Sequence, residues 1–528
     1  MVTAEIRGTG FTVSETEVHT ESDVIQVRNP ADGMVVGEVP VDSADEVAER
    51  VRQLRLFQPD WQAIGPGGRK EWLLKFQDWI LDNGEHIADV VQSETGATRA
   101  DASIEVPAVA DMLKYWAGNA AMFLADDHPK PHNPLAARSR LTTAYRPYPV
   151  VGVISPWNFP FTMPAMDVIP ALAAGAAVVM KPSEVTPLSA VEFVRGWSEI
   201  GAPPVLVLAT GDGDTGAAVI ANVDFVQFTG SAATGRKIAN QCAQQLIPYS
   251  LELGGNDPAL VLADADLERA ANGITWGGLL QAGQACFSVE RVYVEASVYD
   301  EFLGKLTSNV GKLRQGQDDR GYKFDIGAMA TSAQRDVVQR HVDDAVAKGA
   351  QVMVGGKPTG TGTFFEPTVL AQVDHSMSCM TEETFGPTLP VMKVADEAEA
   401  IRLANDSDYG LSATVWTRDE KRGERVARQL DVGAVNINDA IANAFSLALP
   451  LGGWKQSGVG TRFGGASGML KYCRQQAITT PRFPTQSKEL LWYPVSRRRV
   501  KFALGVMRAA AARGVRRFGM TPRSGRQR

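Results

Sequence analysis

Three short runs in this 528-residue chain set reactive side chains beside turn-forming residues. In GQAC (283–286), Cys286 follows a glycine turn, where a sulfur near backbone donors gains thiolate character and becomes a nucleophile. In LELGG (251–255), Glu252 lies between two leucines and ahead of two glycines, an apolar setting that raises a carboxylate toward the range of a general base. In PWNFP (156–160), prolines hold Asn158 so that its amide can donate to a developing oxyanion. Two more runs suit a phosphorylated, hydroxylated ligand. FTGSAATG (228–235) reads as a strand end, a glycine turn and a helix start, whose free N–H groups favour a phosphate. Lys181 and Glu184 of KPSE follow a strand-like run and suit ribose hydroxyls. Taken singly, each run also reads as a plain turn, a solvated ion pair or a strand-end glutamate.

The elements that must position these residues follow from hydrophobic periodicity. Up to about residue 125 the pattern is mostly helical. Ser43 and Glu46 form a capping box ahead of Val47, Val51 and Leu54, and further helices are expected at 67–82, 84–95 and 105–124. Short apolar runs at 150–154, 176–180, 204–209 and 224–228 then alternate with helix-length stretches, and a second such series begins after residue 255. Strand and helix in alternation imply crossovers and parallel sheets, so two α/β domains are expected. Residues 138–148 alternate without a following helix and read as an edge hairpin, open to pairing with another subunit.

Composition narrows the class. With 44% hydrophobic residues, 21% charged and 50 glycines the chain is globular. Four separated cysteines and six scattered histidines argue against a disulfide framework or a metal site, and Cys242, Cys379 and Cys473 read as inert buried thiols. The first ten residues carry early charges and no apolar core of a signal peptide, and the least charged window, 147–166, holds five prolines and cannot span a membrane. A cytoplasmic location follows as the expectation. Net charge is −7, which argues against nucleic acid, but residues 481–528 hold 13 Lys or Arg against Glu489 alone. From Ser496, a candidate N-cap, Val500, Leu504, Met507, Ala511, Val515 and Phe518 recur at helical spacing among arginines. Trp492 and Tyr493 precede them, so 492–518 reads as a peripheral membrane contact, as a segment docked on protein, or as disordered.

PWNFP, KPSE, FTGS, LELGG, GQAC, EETFGP (382–387), DYGLS (408–412) and KQSGVG (455–460) occur in the order found in the NAD(P)-dependent aldehyde dehydrogenase superfamily, which the chain resembles from about residue 25 to 480. The resemblance implies an α/β fold with a Rossmann-like cofactor domain (1–128 and 149–253) and a catalytic domain (254–455). It further implies a small β oligomerisation element (129–148 and 468–484) that makes homodimers or homotetramers, ahead of the basic tail from 485. It makes Cys286 the nucleophile that forms a thiohemiacetal and then a thioester, Asn158 with the Cys286 N–H the oxyanion site, and Glu252 the base for hydrolysis. Ser155, Trp157, Lys181, Ser183, Glu184, Gly213, Thr229, Gly230, Ser231, Leu253, Glu383 and Phe385 would bind the cofactor. Glu184 near the ribose 2′-position favours NAD over NADP.

The chain departs from the family pattern where Phe287 and Ser288 follow Cys286, where Asn256 replaces a lysine, and where Gly465, Ala466 and Ser467 stand in place of a glutamate. By motif position the substrate tunnel is Phe159, Met163, Met166, Leu280, Phe287, Phe445 and Leu451, all apolar. An apolar aliphatic or aromatic aldehyde is therefore expected. Three alternatives stay open: a semialdehyde dehydrogenase of the succinate semialdehyde type, a CoA-acylating relative, and a catalytically silent membrane scaffold.

Overall fold

A computed structural model describes residues 24–133, 136–461, 463–485, 487–488 and 491–518. They form two compact units, Met1–Phe123 with Pro147–Tyr472, and Leu124–Arg146 with Cys473–Arg528. The first unit opens on an antiparallel strand pair, β1 (Val24–Arg28) and β2 (Val35–Pro40), which hydrophobic periodicity did not mark. Helices α1 (Ala44–Ala63), α2 (Gly65–Asp82), α3 (Gly84–Thr95) and α4 (Arg99–Phe123) follow. The capping box of α1 is formed, with the Ser43 N–H donating to the Glu46 carboxylate at 2.7 Å and the Glu46 N–H to Ser43 Oγ at 3.3 Å. Val47, Val51 and Leu54 are its buried stripe. Helix α4 starts six residues before the expected 105, anchored by the Ala102 N–H on the Thr98 carbonyl at 3.0 Å.

After β3 (Ser139–Pro147), which the second unit uses, strand and helix alternate. The first series is β4 (Val150–Ile154), α5 (Thr162–Ala174), β5 (Ala177–Lys181), α6 (Leu188–Glu199), β6 (Leu206–Leu208), α7 (Gly213–Asn222), β7 (Phe225–Thr229), α8 (Ala232–Gln245) and β8 (Tyr249–Glu252). The sheet order is β8-β7-β4-β5-β6, all parallel, with Gly458–Val459 added antiparallel at the β8 edge. From the central β4 the chain steps outward to β5 and β6, then crosses to β7 and β8. The order reverses between β4 and β7, and at such a switch point the carboxyl ends of a parallel sheet leave a crevice for a ligand.

A second sheet takes β9 (Asp257–Val261), β10 (Val289–Glu295), β11 (Gln351–Val354), β12 (Thr368–Ala371), β13 (Thr388–Val394), β15 (Ser412–Trp416) and β16 (Ala434–Ile437), with β14 (Tyr409–Gly410) lying apart against Trp454–Lys455. Its order is β11-β12-β13-β10-β9-β15-β16, and only β11 runs antiparallel. Every residue of β4, β5, β7, β9, β10 and β15 is buried, which is why VVGVI in β4 and AVVM in β5 read as unbroken apolar runs rather than alternating ones.

Two expectations are corrected in the second unit. Residues 138–148 are not a hairpin: β3 is a single strand whose partner is the distant Cys473–Pro481, and the Arg482 N–H closes the pair on the Arg138 carbonyl at 2.9 Å. The tail is not one helix from Ser496 to Phe518. An α-helix spans Arg497–Ala511, Ala512 turns extended, and Gly514–Phe518 forms a separate 3-10 turn. Gly514 offers little helical preference to carry the ladder across that break. Ala503 is the helix's buried residue, whereas Phe502, Leu504 and Met507 are exposed. Among the described residues no helix is long and apolar enough to cross a membrane.

Helix α6 is held by a carboxylate from α3. Glu94, almost fully buried, accepts the Leu188 N–H at 2.7 Å, the Ser189 N–H at 2.9 Å and the Ser189 hydroxyl. Burial pushes its carboxyl up to about 8 against these bonds. Glu94→Ala leaves two buried N–H groups without an acceptor and is expected to lower stability by about 1–3 kcal/mol, read from the shift in urea-unfolding midpoint.

Candidate active site

The carboxyl end of β4 runs directly into Ser155, Trp157 and Asn158. The Ser155 N–H donates to the Lys181 carbonyl at 3.1 Å, which ties this turn to the end of β5. Asn158 is buried, and its Nδ2 donates to the Gln284 carbonyl at 2.8 Å while Gln281 Nε2 donates back to the Asn158 carbonyl at 3.1 Å. An amide NH₂ has two hydrogens, so Asn158 keeps one for another acceptor. These bonds join the Asn158 turn to the segment carrying Cys286.

That segment has an unusual backbone. After α9 (Leu267–Leu279), Gln281 (φ 53°, ψ 38°), Ala282 (φ 55°, ψ 36°) and Gly283 (φ 73°) are consecutively left-handed. For each of the two non-glycine residues this costs about 1–2 kcal/mol. Gly283 is required here, because a Cβ would overlap the Gly386 carbonyl. The turn leads to Cys286, which is half-buried while Cys242, Cys379 and Cys473 are buried. Phe287 packs against the core of the second sheet, and the buried Ser288 satisfies its hydroxyl on the Gly278 carbonyl at 3.1 Å. This fit accommodates the unusual Phe-Ser pair.

Glu252 is the last residue of β8, buried between Thr229 of β7 and Gly458. The chain then crosses from one sheet edge to the other. Leu253 N–H donates to the Ser457 carbonyl at 3.0 Å, and Asn256 Nδ2 to the Glu382 carbonyl at 2.6 Å, so the asparagine in the usual lysine position ties this crossing to the EETFGP loop. At Gly255 a Cβ would lie 2.7 Å from the Cys286 carbonyl oxygen, so the two loops meet backbone to backbone. Glu383 Oε1 accepts the Gly255 N–H at 2.9 Å. Burial, with the Glu252 carboxylate adding to it, pushes the Glu383 carboxyl up against the lowering effect of that bond.

Sequence reading missed Glu290. From β10 its carboxylate accepts the Thr384 N–H at 2.8 Å and the Phe385 N–H at 2.7 Å, and so holds Phe385 in a left-handed conformation (φ 49°). The Phe385 ring stands edge-on to Trp157, centroids 5.4 Å apart. Local sequence offered no distinctive signal for it, since the strand VERVYVE also carries Arg291 and Glu295.

The proposed cofactor positions gather at the carboxyl edge of the first sheet. Lys181 ends β5, buried, with Nζ 3.3 Å from Glu184, and burial lowers its amine despite that partner. Ser183 Oγ accepts the Val185 N–H at 3.2 Å, and Gly213 opens α7 behind the N-cap Asp212. Thr229 ends β7. A Cβ on Gly230 would lie 2.6 Å from the Phe228 ring, and Ser231 caps α8 by accepting the Thr234 N–H at 3.2 Å. A dinucleotide fits this edge: a glycine turn opens on a helix N-terminus, and the buried Ser155 Oγ has no hydrogen-bond partner among the described residues.

Phe159 and, on α5, Met163 and Met166 are buried, Leu280 and Phe287 pack partly against the core, and Leu451 bridges to Phe463. Phe445 is half-exposed and lines a hollow of about 220 Å³ with Ile104, Ala108, Asp111 and Met112 of α4. Those α4 positions were missed, although Ile104, Ala108 and Met112 fall at i, i+4 and i+8.

Residues 18–478 match the model of the aldehyde dehydrogenase family, and the chain belongs to that family. A 4,4'-diapolycopene aldehyde oxidase of a Methylomonas species is 40% identical over 477 residues, covering 89% of this chain and 88% of that protein. A Mycolicibacterium smegmatis protein provisionally named succinate-semialdehyde dehydrogenase [NADP(+)] is 40% identical over 451 residues, 84% of this chain and 86% of its own length. A point mutant of Staphylococcus aureus betaine aldehyde dehydrogenase, solved with NAD+ and a BME-modified cysteine, aligns with a TM-score of 0.83 at 31% identity over 90% of this chain and 96% of that one.

Proposed function

We propose that the chain oxidises an apolar aldehyde to its carboxylate with NAD(P), and that Cys286 is the nucleophile. The observation that carries this reading is that Asn158, Cys286 and the Glu252 segment converge where the two sheet edges meet. The Cys286 thiolate adds to the aldehyde carbon, and the oxyanion takes the remaining Asn158 Nδ2 hydrogen and the Cys286 N–H. The dinucleotide, when bound, accepts the hydride. Glu252 then takes the proton of the water that hydrolyses the Cys286 thioester, which favours hydrolysis over transfer to CoA. Lys181, Ser183 and Glu184 would hold the adenosine ribose. Gly213, Gly230 and Ser231 would face the pyrophosphate, Glu383 the nicotinamide ribose, and Trp157 with Phe385 the ring. Ser155, Thr229 and Leu253 complete the crevice. Half-exposed Glu184 beside the ribose favours NAD, although the M. smegmatis relative is named for NADP(+). In this scheme the first sheet is the cofactor domain and the second the catalytic domain, and the sheet that β3 makes with Cys473–Pro481 carries the contacts of a homo-oligomer.

The hollow beside α4 is read as the substrate mouth. Asp111 is the one charged residue among those lining it, and an acid there disfavours a substrate carboxylate. The carotenoid-aldehyde name of the Methylomonas relative agrees with an apolar substrate. The basic tail is read as a contact with an anionic membrane surface, because its arginines surround the exposed Trp492, Tyr493, Phe502, Leu504 and Met507.

Three outcomes are expected. Cys286→Ala abolishes turnover and keeps NAD binding, while Glu252→Gln gives a burst of NADH followed by slow turnover; near-normal steady-state rates in Cys286→Ala overturn the mechanism. kcat/KM rises about fourfold per methylene from acetaldehyde to hexanal, from about 0.8 kcal/mol per buried CH₂, and a higher value for succinate semialdehyde than for hexanal overturns the apolar reading. In flotation with anionic vesicles at low salt, the full chain floats and a chain ending at Thr485 does not, though it keeps dehydrogenase activity. Failure of both to float overturns the membrane contact.

A further inference from the structure

Phe385 sits in the left-handed region (φ 49°), a conformation that a bulky L-residue avoids and that persists only where its surroundings over-determine it. A carboxylate on the strand of the thiol supplies the constraint. Glu290 is the second residue of β10, the strand entered directly after Cys286, Phe287 and Ser288, and it is buried. Its two oxygens are divided between successive amides of the EETFGP loop: Oε2 accepts the Thr384 N–H at 2.8 Å and Oε1 the Phe385 N–H at 2.7 Å. A carboxylate presents two acceptor oxygens, whereas an amide of the same size presents one. The rest of the loop is held from other sides. The helix Ser332–Ala347 bonds Thr384 twice, with Gln334 Nε2 donating to its carbonyl at 2.8 Å and His341 Nδ1 lying 3.0 Å from its hydroxyl. Asn256 Nδ2 donates to the Glu382 carbonyl at 2.6 Å, and past Phe385 the chain is confined at Gly386 between Val338 of that helix and the Gly283 turn. These contacts fix the residues on either side, and Glu290 is the side chain that takes the Phe385 amide itself. The ring so placed stands edge-on to Trp157, centroids 5.4 Å apart, on the turn that also carries Asn158.

We infer that Glu290 is a positioning residue for the nicotinamide end of the cofactor, holding the Phe385 backbone so that one strand sets both the thiol that carries the substrate and the aromatic ring against which the hydride acceptor lies. It touches neither substrate nor cofactor and acts through the Phe385 N–H. In the step it serves, the thiohemiacetal carbon gives its hydride to the nicotinamide, and the oxyanion pair re-forms the C=O of the thioester. An approach displaced by about 1 Å costs such a step up to about 100-fold. The inference rests on the readings of Cys286 as nucleophile and of Phe385 as the ring contact, and it is separable from both, because the adenosine half would bind at Lys181 and Glu184 and does not meet this loop. A purely structural carboxylate would lower stability and leave the ratio of NADH to ADP-ribose affinity where it was, whereas a positioning one changes that ratio.

The test uses Glu290→Gln, which keeps one acceptor oxygen and turns an NH₂ on the second N–H, and Glu290→Ala, which removes both acceptors. Three quantities are read: the Kd for NADH, from the emission of its bound nicotinamide; the Kd for ADP-ribose, by calorimetry; and the rate of the NADH burst with hexanal and with hexanal deuterated at C1. Glu290→Gln is expected to raise the Kd for NADH by about 2- to 10-fold, the worth of one misplaced contact, with the Kd for ADP-ribose unchanged. Its burst is expected to slow by about 10-fold, and that of Glu290→Ala by up to about 100-fold, each with a larger deuterium isotope effect than the wild type. If Glu290→Ala does not fold, Glu290→Gln carries the test alone. A wild-type burst rate in Glu290→Gln overturns the inference, and so does a loss of ADP-ribose affinity equal to that of NADH. Failure of the underlying readings shows separately, as turnover in Cys286→Ala or as wild-type NADH affinity in Phe385→Ala.

Discussion

Irregular backbone buried between two sheets must find partners for its amide groups, and in this molecule buried carboxylates supply many of them. Glu105 takes Phe161 and Thr162, Glu290 takes Thr384 and Phe385, and Glu383 takes Gly255. Each anchored segment belongs to the proposed site: the turn after Asn158, the EETFGP loop and the crossing after Glu252. A charged acceptor makes a stronger bond to an N–H than a neutral one, and it can hold a loop that has no ladder of its own. The cost is desolvation, which pushes the carboxyl of Glu105 up to about 7.

This anchoring explains how the site is assembled from opposite ends of two sheets. The first sheet presents carboxyl ends, with Ser155 after β4, Lys181 at the end of β5 and Gly230 after β7, around the switch in strand order. The second presents amino ends, with Cys286 just before β10 and Phe385 just before β13. Only the glycines at 254 and 255 let the crossing segment pass close enough to Glu383 and to the Cys286 carbonyl to bring these edges together. The chemistry therefore sits where neither sheet alone could place it.

Burial also separates Cys286, the proposed nucleophile, from the other thiols. Burial pushes Cys242 up to about 11 and Cys379 up to about 12, so neither offers thiolate near neutral pH. Cys286 is half-buried and follows a strained turn.

Local sequence determined a good deal. The runs of VVGVI and AVVM are strands because parallel sheets covered on both faces need continuous apolar residues, and the Ser43–Glu46 box starts its helix because both capping bonds are local. The order of PWNFP, LELGG and GQAC marked Asn158, Glu252 and Cys286 without any coordinates. Tertiary structure decided what depends on partners far along the chain. Residues 139–147 look like half of a hairpin until Cys473–Pro481 pairs with them, and the tail's apolar stripe ends at Ala511. Glu105 and Glu290 look like ordinary acids in a helix or strand, because their function lies in accepting N–H groups between 56 and 95 residues away. Periodicity reports which face of an element is buried, and only the folded chain shows which distant amide that face must satisfy.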